Sequence, residues 1–200
     1  MKYKPTHFIK PSGSAAGKLI VMVAAFEDLR NVPDRLMIGE VADAHGNKIP
    51  VFPKYVKAGD VIASGIAEYL KQSGFAVSDK RPAWDLKTGS VGDDWGDILI
   101  GGSIDDLWVK CREGIAEKKY SAGIRLNAVI VDVRNKRILY KTLTESESSR
   151  DDVIFSESRL EAQINGVVSD AIDKIFDGGE AQRRMIGAAS RPDSPAGNPR

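Results

Sequence analysis

The stretch "DILIGGSIDDLWVKC", Asp97–Cys111, gathers the groups in this chain best suited to chemistry. It holds two adjacent carboxylates, Asp105 and Asp106, and the only cysteine. With Asp132, the two aspartates could in principle hold a divalent cation for a metal-dependent hydrolase. Neighbouring residues on a strand, however, point to opposite faces. Asp105 and Asp106 therefore cannot form a carboxylate pair without a local bulge. Cys111 ends the same stretch and reads as a small buried hydrophobe, with no evident neighbour to activate it as a nucleophile beyond the flanking Lys110 and Arg112. A single cysteine forms no internal disulfide and excludes a Cys-rich zinc or iron–sulfur site. His7 and His45 are not at metal-ligand spacing and read as solvated loop residues. "GSAAGK", Gly13–Lys18, has three residues between its glycines where a phosphate loop needs four, and Leu19 where Ser or Thr is needed. No catalytic residue, no metal ligand and no cofactor is expected, and the chain does not read as an enzyme.

Two segments carry residues suited to binding. "DKRPAWDLKTGSVGDDWGD" places Trp84 and Trp95 in a hydrophilic loop, and exposed tryptophans are enriched at interface hot spots. The simpler reading, which is favoured, is that they fold back over a sheet edge. "EDLRNVPDR" offers Asp28, Arg30, Asp34 and Arg35 directly after the first strand, a usual place for a functional loop. Local ion pairs and turn capping are the default there. Asp28, Arg30, Trp84 and Trp95 are the candidate binding residues.

The elements that would position them follow from periodicity. "KLIVMVAAF", Lys18–Phe26, is nearly all apolar, as expected of a central strand buried on both faces. One short strand is expected around Lys48–Val51. "AGDVIASGIAEYLKQSG" puts Ile62, Ile66, Tyr69 and Leu70 on one helical face and ends in Gly74, which suits the C′ position. Phe75–Val77 is a short strand. Three strands follow, Asp97–Cys111, Ala122–Val133 and Arg137–Thr144, the last two joined by a tight hairpin at Arg134–Lys136. In the first of these, Ile98, Ile100, Ile104 and Trp108 share a parity and are expected to face the helices together. Gly101 and Gly102 mark a bulge or a close backbone approach. Leu160, Ile164, Val167, Val168, Ala171, Ile172 and Ile175 then recur at helical spacing behind an S-x-x-E capping box, Ser158 and Glu161. The order β-α-β-β-β-β-α predicts an α+β fold: a two-layer domain with a mainly antiparallel β-sheet and two helices packed on one face.

Composition sets the outer bounds. The 200 residues suffice for one domain, and 42% hydrophobic with 28% charged residues is ordinary for a globular chain. Residues 1–18 are expected to form a flexible lead-in, 19–177 the single domain, and 178–200 a disordered tail rich in Gly, Ser, Pro and Arg. Twenty-nine basic and 28 acidic side chains leave a net charge of +1, which argues against nucleic acid as a partner. No run approaches the length of a membrane span, and the start lacks a secretory signal.

Taken together, several segments resemble the YajG-like lipoproteins, a family of small bacterial envelope proteins. The likeness covers Leu19 to Asp177. It rests on the apolar first strand with "EDLR" behind it, the helix end "YLKQSGFAV", the strand "DILIGGSIDDLWV", the hairpin "IRLNAVIVDVRNKRILYKT" and the closing "QINGVVSDAIDKIFD". The resemblance implies an accessory protein on the periplasmic side of the envelope, without catalytic residues, that works through protein contacts in assembly or transport. Its partner would be another protein or a second copy of itself. Outer-membrane anchoring would require a lipidated signal region outside this sequence, since no lipobox cysteine stands near its start and Cys111 lies too deep in the domain. A carrier of lipid or another apolar ligand, using a cleft between helices and sheet, is the alternative.

Overall fold

The computed structural model describes residues 19–54, 56–114 and 117–189. Within them the chain runs β1 (Ile20–Val23), β2 (Glu27–Asp28), β3 (Gly39–Ala42), β4 (Lys48–Val51), α1 (Ala58–Gln72), β5 (Ala76–Val77), β6 (Ile98–Glu113), β7 (Lys118–Asp132), β8 (Arg137–Asp152), α2 (Glu157–Phe176) and α3 (Glu180–Ala189). The fold is α+β, with α1 and α2 lying over one face of a curled, mixed sheet, as the order of elements predicts.

The strand β6 organises that sheet. β7 pairs with it antiparallel along its whole length, and β8 pairs antiparallel with β7. On its other side β6 meets three short strands in turn, all parallel to it: β1 at Ile98–Ile100, β2 at Ser103–Ile104 and β3 at Val109–Arg112. β4 then extends β3, and β5 extends β1. Strand β1 is buried on both faces, as its unbroken apolar run requires. Val21 and Val23 belong to the main core under the helices, whereas Met22 and Ala24 join a smaller apolar cluster on the opposite face.

A β-bulge at Asp105 alters the expected facing of β6. Ile104 pairs with Leu126 and Asp106 with Arg125, so Asp105 has no opposite residue. The extra residue reverses the alternation. Ile98, Ile100 and Ile104 face the helices before it, and Leu107, Val109 and Cys111 do so after it. Trp108, expected on that same side, is therefore carried to the other face.

Helix α1 closes as its sequence foretells. Gly74 adopts φ +91°, Phe75 N–H donates to the Leu70 carbonyl and Gly74 N–H to that of Lys71, the paired bonds of a Schellman ending. The start of α2 differs from expectation. Ser156 occupies the N-cap, and its hydroxyl meets that of Ser158 at 2.6 Å, so no Ser158–Glu161 capping box forms. Tyr69 and Phe176 stack at 4.4 Å between ring centroids and fix α1 against α2.

Several elements extend past their expected bounds: β6 runs on to Glu113, and β7 begins at Lys118 instead of Ala122. β8 continues from Thr144 to Asp152, because Thr144 and Ser146 face the helix layer while Glu145 and Glu147 face solvent, an alternation written in polar residues. The segment expected to be disordered from residue 178 contains α3, whose Ala181 and Met185 are fully buried against the core. Two apolar side chains one turn apart suffice to dock this short helix. The expected lead-in, 1–18, and the tail from 190 on lie outside the described residues.

Gly59, the second residue of α1, lies where a Cβ would come within 2.1 Å of the Phe26 carbonyl oxygen. Gly59→Ala is expected to lower unfolding free energy by about 1–3 kcal/mol. The urea midpoint of the variant checks this; an unchanged midpoint would show that α1 does not approach the sheet so closely.

Candidate interaction surfaces

Asp28 and Arg30 form a buried latch. Arg30 is only 3% exposed, and its Nε and Nη2 donate to the two carboxylate oxygens of Asp28 at 2.8 and 2.7 Å. Nη2 also donates to the Arg35 carbonyl at 2.5 Å, and Nη1 to those of Met37 and Leu107 at 2.9 and 3.2 Å. All five guanidinium donors are thus used. They tie the loop after β2 to β6 just beyond the bulge. Burial by itself pushes the Asp28 carboxyl up, but the hydrogen bonds and charge of Arg30, helped by the charge of Arg35, hold it below its ordinary value. With all its donors satisfied inside the fold, Arg30 positions a loop.

The tryptophan loop covers the face of the sheet opposite the helices. Trp84 is 7% exposed, packs in the cluster of Met22, Ala24, Leu99, Val129 and Val131, and donates from Nε1 to the Lys87 carbonyl at 2.8 Å. Gly101 lies beneath it, where a Cβ would come within 2.7 Å of the indole. Trp95 is half-buried beside the same cluster, over Gly92. The structure thus places Trp84 and Trp95 together on one apolar cluster.

Beyond that cover, the same face is open. Trp108 lies across Gly123 of β7, whose missing side chain makes room for the ring, and Lys110 Nζ stands 5.1 Å from the ring centroid. In the adjoining row Asp106 faces Arg125, and Arg125 Nε meets Glu145 at 2.5 Å. This surface escaped the sequence reading because the bulge reversed the parity. The signal was present in Gly123, which stands opposite Trp108 in the ladder.

The remaining groups with chemical potential are accounted for structurally. Asp105 accepts from the Ser103 hydroxyl at 2.7 Å, and Asp132 caps the hairpin turn through Asn135. Among the described residues no group of three or more His, Cys, Asp or Glu could hold a metal ion. Cys111 is buried; burial and the charge of Glu113 raise its pKa, outweighing Tyr120 and Lys118, and leave an unreactive thiol. His45 sits in the exposed β3–β4 turn, and His7 and the Gly13–Lys18 stretch lie outside the described residues.

The sheet ends in three unequal edges. β5 has two residues, and β4 has four with Pro50 in its middle, which cannot donate to a further strand. β8 has 16 residues, none of them proline, and only β7 beside it. On its free side the Glu145 carbonyl accepts from Lys174 Nζ at 2.9 Å rather than from β7, so the odd-numbered residues around it turn their backbone groups outward. Leu143 stands among them, 57% exposed. A second apolar run, Leu29, Leu36, Ile49, Phe52 and Val56, is exposed on and around the latched loop and the β3–β4 hairpin.

No protein-family model matches the chain, and neither does any curated protein. Solved structures do resemble it. A Xanthomonas campestris protein of the DUF330 family matches at a TM-score of 0.52 and 12% identity, over 94% of this chain and 96% of its own. A structure described as a homologue of the neuraminyllactose-binding hemagglutinin from Helicobacter pylori matches at 0.52 and 9% identity, over 95% and 99%. The lipoprotein GNA1162 from Neisseria meningitidis matches at 0.43 and 11%, over 80% and 99%. For the first two, at these identities, the likeness is one of fold. No helix among the described residues is long and apolar enough to cross a membrane.

Three variants test the roles assigned to the latch and to Trp84. Arg30→Met leaves the partly exposed Asp28 carboxylate and three backbone carbonyls without their donor and is expected to cost about 1–3 kcal/mol of stability. The folded pKa of Asp28 lies below its ordinary value of 3.8, so the carboxylate's contribution is complete above that value and is lost as pH falls through the folded pKa. The stability gap between the parent protein and Asp28→Asn should therefore be constant near neutrality and shrink in acid; a gap independent of pH would remove the latch. Trp84→Ala should cost about 3–5 kcal/mol by emptying the second cluster. An indole that served only an outside partner would leave the urea midpoint unmoved.

Proposed function

We propose that this chain is a non-enzymatic accessory domain of the bacterial cell envelope, related to the YajG-like lipoproteins, that acts on its periplasmic side through protein contacts. One observation carries the reading: β8 offers a long, proline-free edge with unpaired backbone groups and an exposed Leu143. Such an edge takes up a further strand by main-chain hydrogen bonding. The sequence resemblance supports the envelope setting, and the fold shared with a DUF330 protein and a hemagglutinin homologue accords with an α+β domain of this kind.

The partner that the edge fits is a second copy of this chain. In an antiparallel pair centred on Thr144, Lys141 of each copy stands opposite Glu147 of the other. Neither residue has an ion-pair partner of its own among the described residues. Opposite charges directly across a ladder add to pairing, and like charges oppose it.

Sedimentation velocity over a concentration series tests this proposal. The parent protein should show a concentration-dependent dimer. Leu143→Pro should abolish it with little loss of thermal stability, because the outward N–H at this position makes no bond to β7. Lys141→Glu should weaken the dimer, and adding Glu147→Lys should restore it. A parent that stays monomeric, or a Leu143→Pro variant that associates normally, would overturn the reading.

A further inference from the structure

Where β8 begins, its first residues and α3 enclose an open groove of about 410 Å³ lined by Arg137, Ile138, Leu139, Arg183, Arg184 and Ala188, with Gly187 completing the wall. We infer that this groove binds a single-chain anionic amphiphile, its phosphate head held by the arginines and its apolar stem lying along Ile138 and Ala188. The inference does not depend on pairing at the β8 edge. It rests on charge and on shape.

Two of the guanidinium groups are already held in place. Arg184 Nη1 donates to the Leu139 carbonyl at 2.7 Å, its Nη2 meets Glu180 at 2.5 Å, and its guanidinium lies over the Tyr140 ring at 5.6 Å. Arg183 Nη1 donates to the Gly178 carbonyl at 3.0 Å. Glu180 neutralises Arg184 alone. Among the described residues neither Arg137 nor Arg183 forms a salt bridge; Asp132 stands opposite Arg137 in the ladder, and the three arginines leave a net positive charge around the groove. Arginine's planar fork suits two oxygens of one phosphate, and guanidinium groups fixed in advance lose little freedom on binding.

The floor explains why the ligand needs a stem. Ile138 is 37% exposed here, Leu139 and Ala188 lie beside it, and a Cβ built at Gly187 would meet nothing within 4 Å. Apolar surface of this kind gains from covering by hydrocarbon, which a small inorganic anion cannot supply. The volume falls within the roughly 300–1,000 Å³ common for small-molecule sites.

The probe is dodecyl phosphate below its critical micelle concentration, titrated into the full chain by calorimetry with backbone amide shifts followed by NMR. Saturable binding is expected, with shifts at residues 137–139 and 183–188. Arg137→Gln/Arg183→Gln should weaken it about tenfold or more at an unchanged melting temperature, since charge-assisted hydrogen bonds are lost. Inorganic phosphate and dodecyl maltoside, each carrying half of the recognised chemistry, should bind far more weakly. Equal binding by the double variant, or by either comparator, would overturn the inference. So would binding to phosphatidylglycerol vesicles with none to the monomeric probe, which would make the arginines a membrane-docking surface.

Discussion

The extra residue at Asp105 is the constraint on which the rest of the sheet depends. A strand of sixteen residues with strict alternation would present a single set of side chains to the helices from end to end. β6 instead needs Ile98, Ile100 and Ile104 inward in its first half, and Leu107, Val109 and Cys111 inward in its second. Only an inserted residue reconciles the two halves. The break also coincides with a change of neighbours, since β1 and β2 pair before it and β3 after it. Arg30 bonds the Leu107 carbonyl just past that point, so the buried ion pair reinforces the join between the two registers.

The two faces of the sheet are stabilised by different means. On one, α1, α2 and α3 bury a continuous apolar layer, closed at the helix contact by the Tyr69–Phe176 stack. On the other face, two indoles lie flat on two glycines: Trp84 over Gly101, and Trp108 over Gly123. The first is enclosed by its own loop and completes a second core. The second stays half-open, bordered by Lys110 and the Arg125–Glu145 pair. The absence of a Cβ from the strand surface thus serves both times to seat an aromatic ring.

Much of this architecture was legible in the sequence. The unbroken apolar run around Val21–Val23 announced a strand buried on both sides, the helical spacing from Ile62 to Leu70 and from Leu160 to Ile175 announced the cover, and Gly74 announced the end of α1. What escaped was of two kinds. A bulge leaves no mark on composition, so the parity of Trp108 was misassigned along with its face. Polar strands and short docking helices carry too few apolar residues for periodicity to detect: β8 beyond Thr144, with Ser146 inward, and Ala181 and Met185 in α3. The candidate residues fared likewise. Asp28 and Arg30 read by default as a local ion pair, and the five satisfied donors of Arg30 supply the geometry that spacing alone could not. The arginine groove joins residues far apart in sequence, Arg137 with Arg183 and Arg184, a proximity that spacing does not encode.

The parallel pairing of β1 with β6 also sets a timetable. The bond from Ile20 N–H to the Asp97 carboxylate spans 77 positions. At ribosomal speeds of roughly 5–20 residues per second, the first apolar strand would emerge on the order of 4–15 s before the partner that shelters it. The β6–β7–β8 meander, by contrast, closes through short connections and can form as soon as it is made. The first apolar strand thus appears well before the long strand that it pairs with, and β5, which covers its other edge, is the partner that reaches it sooner.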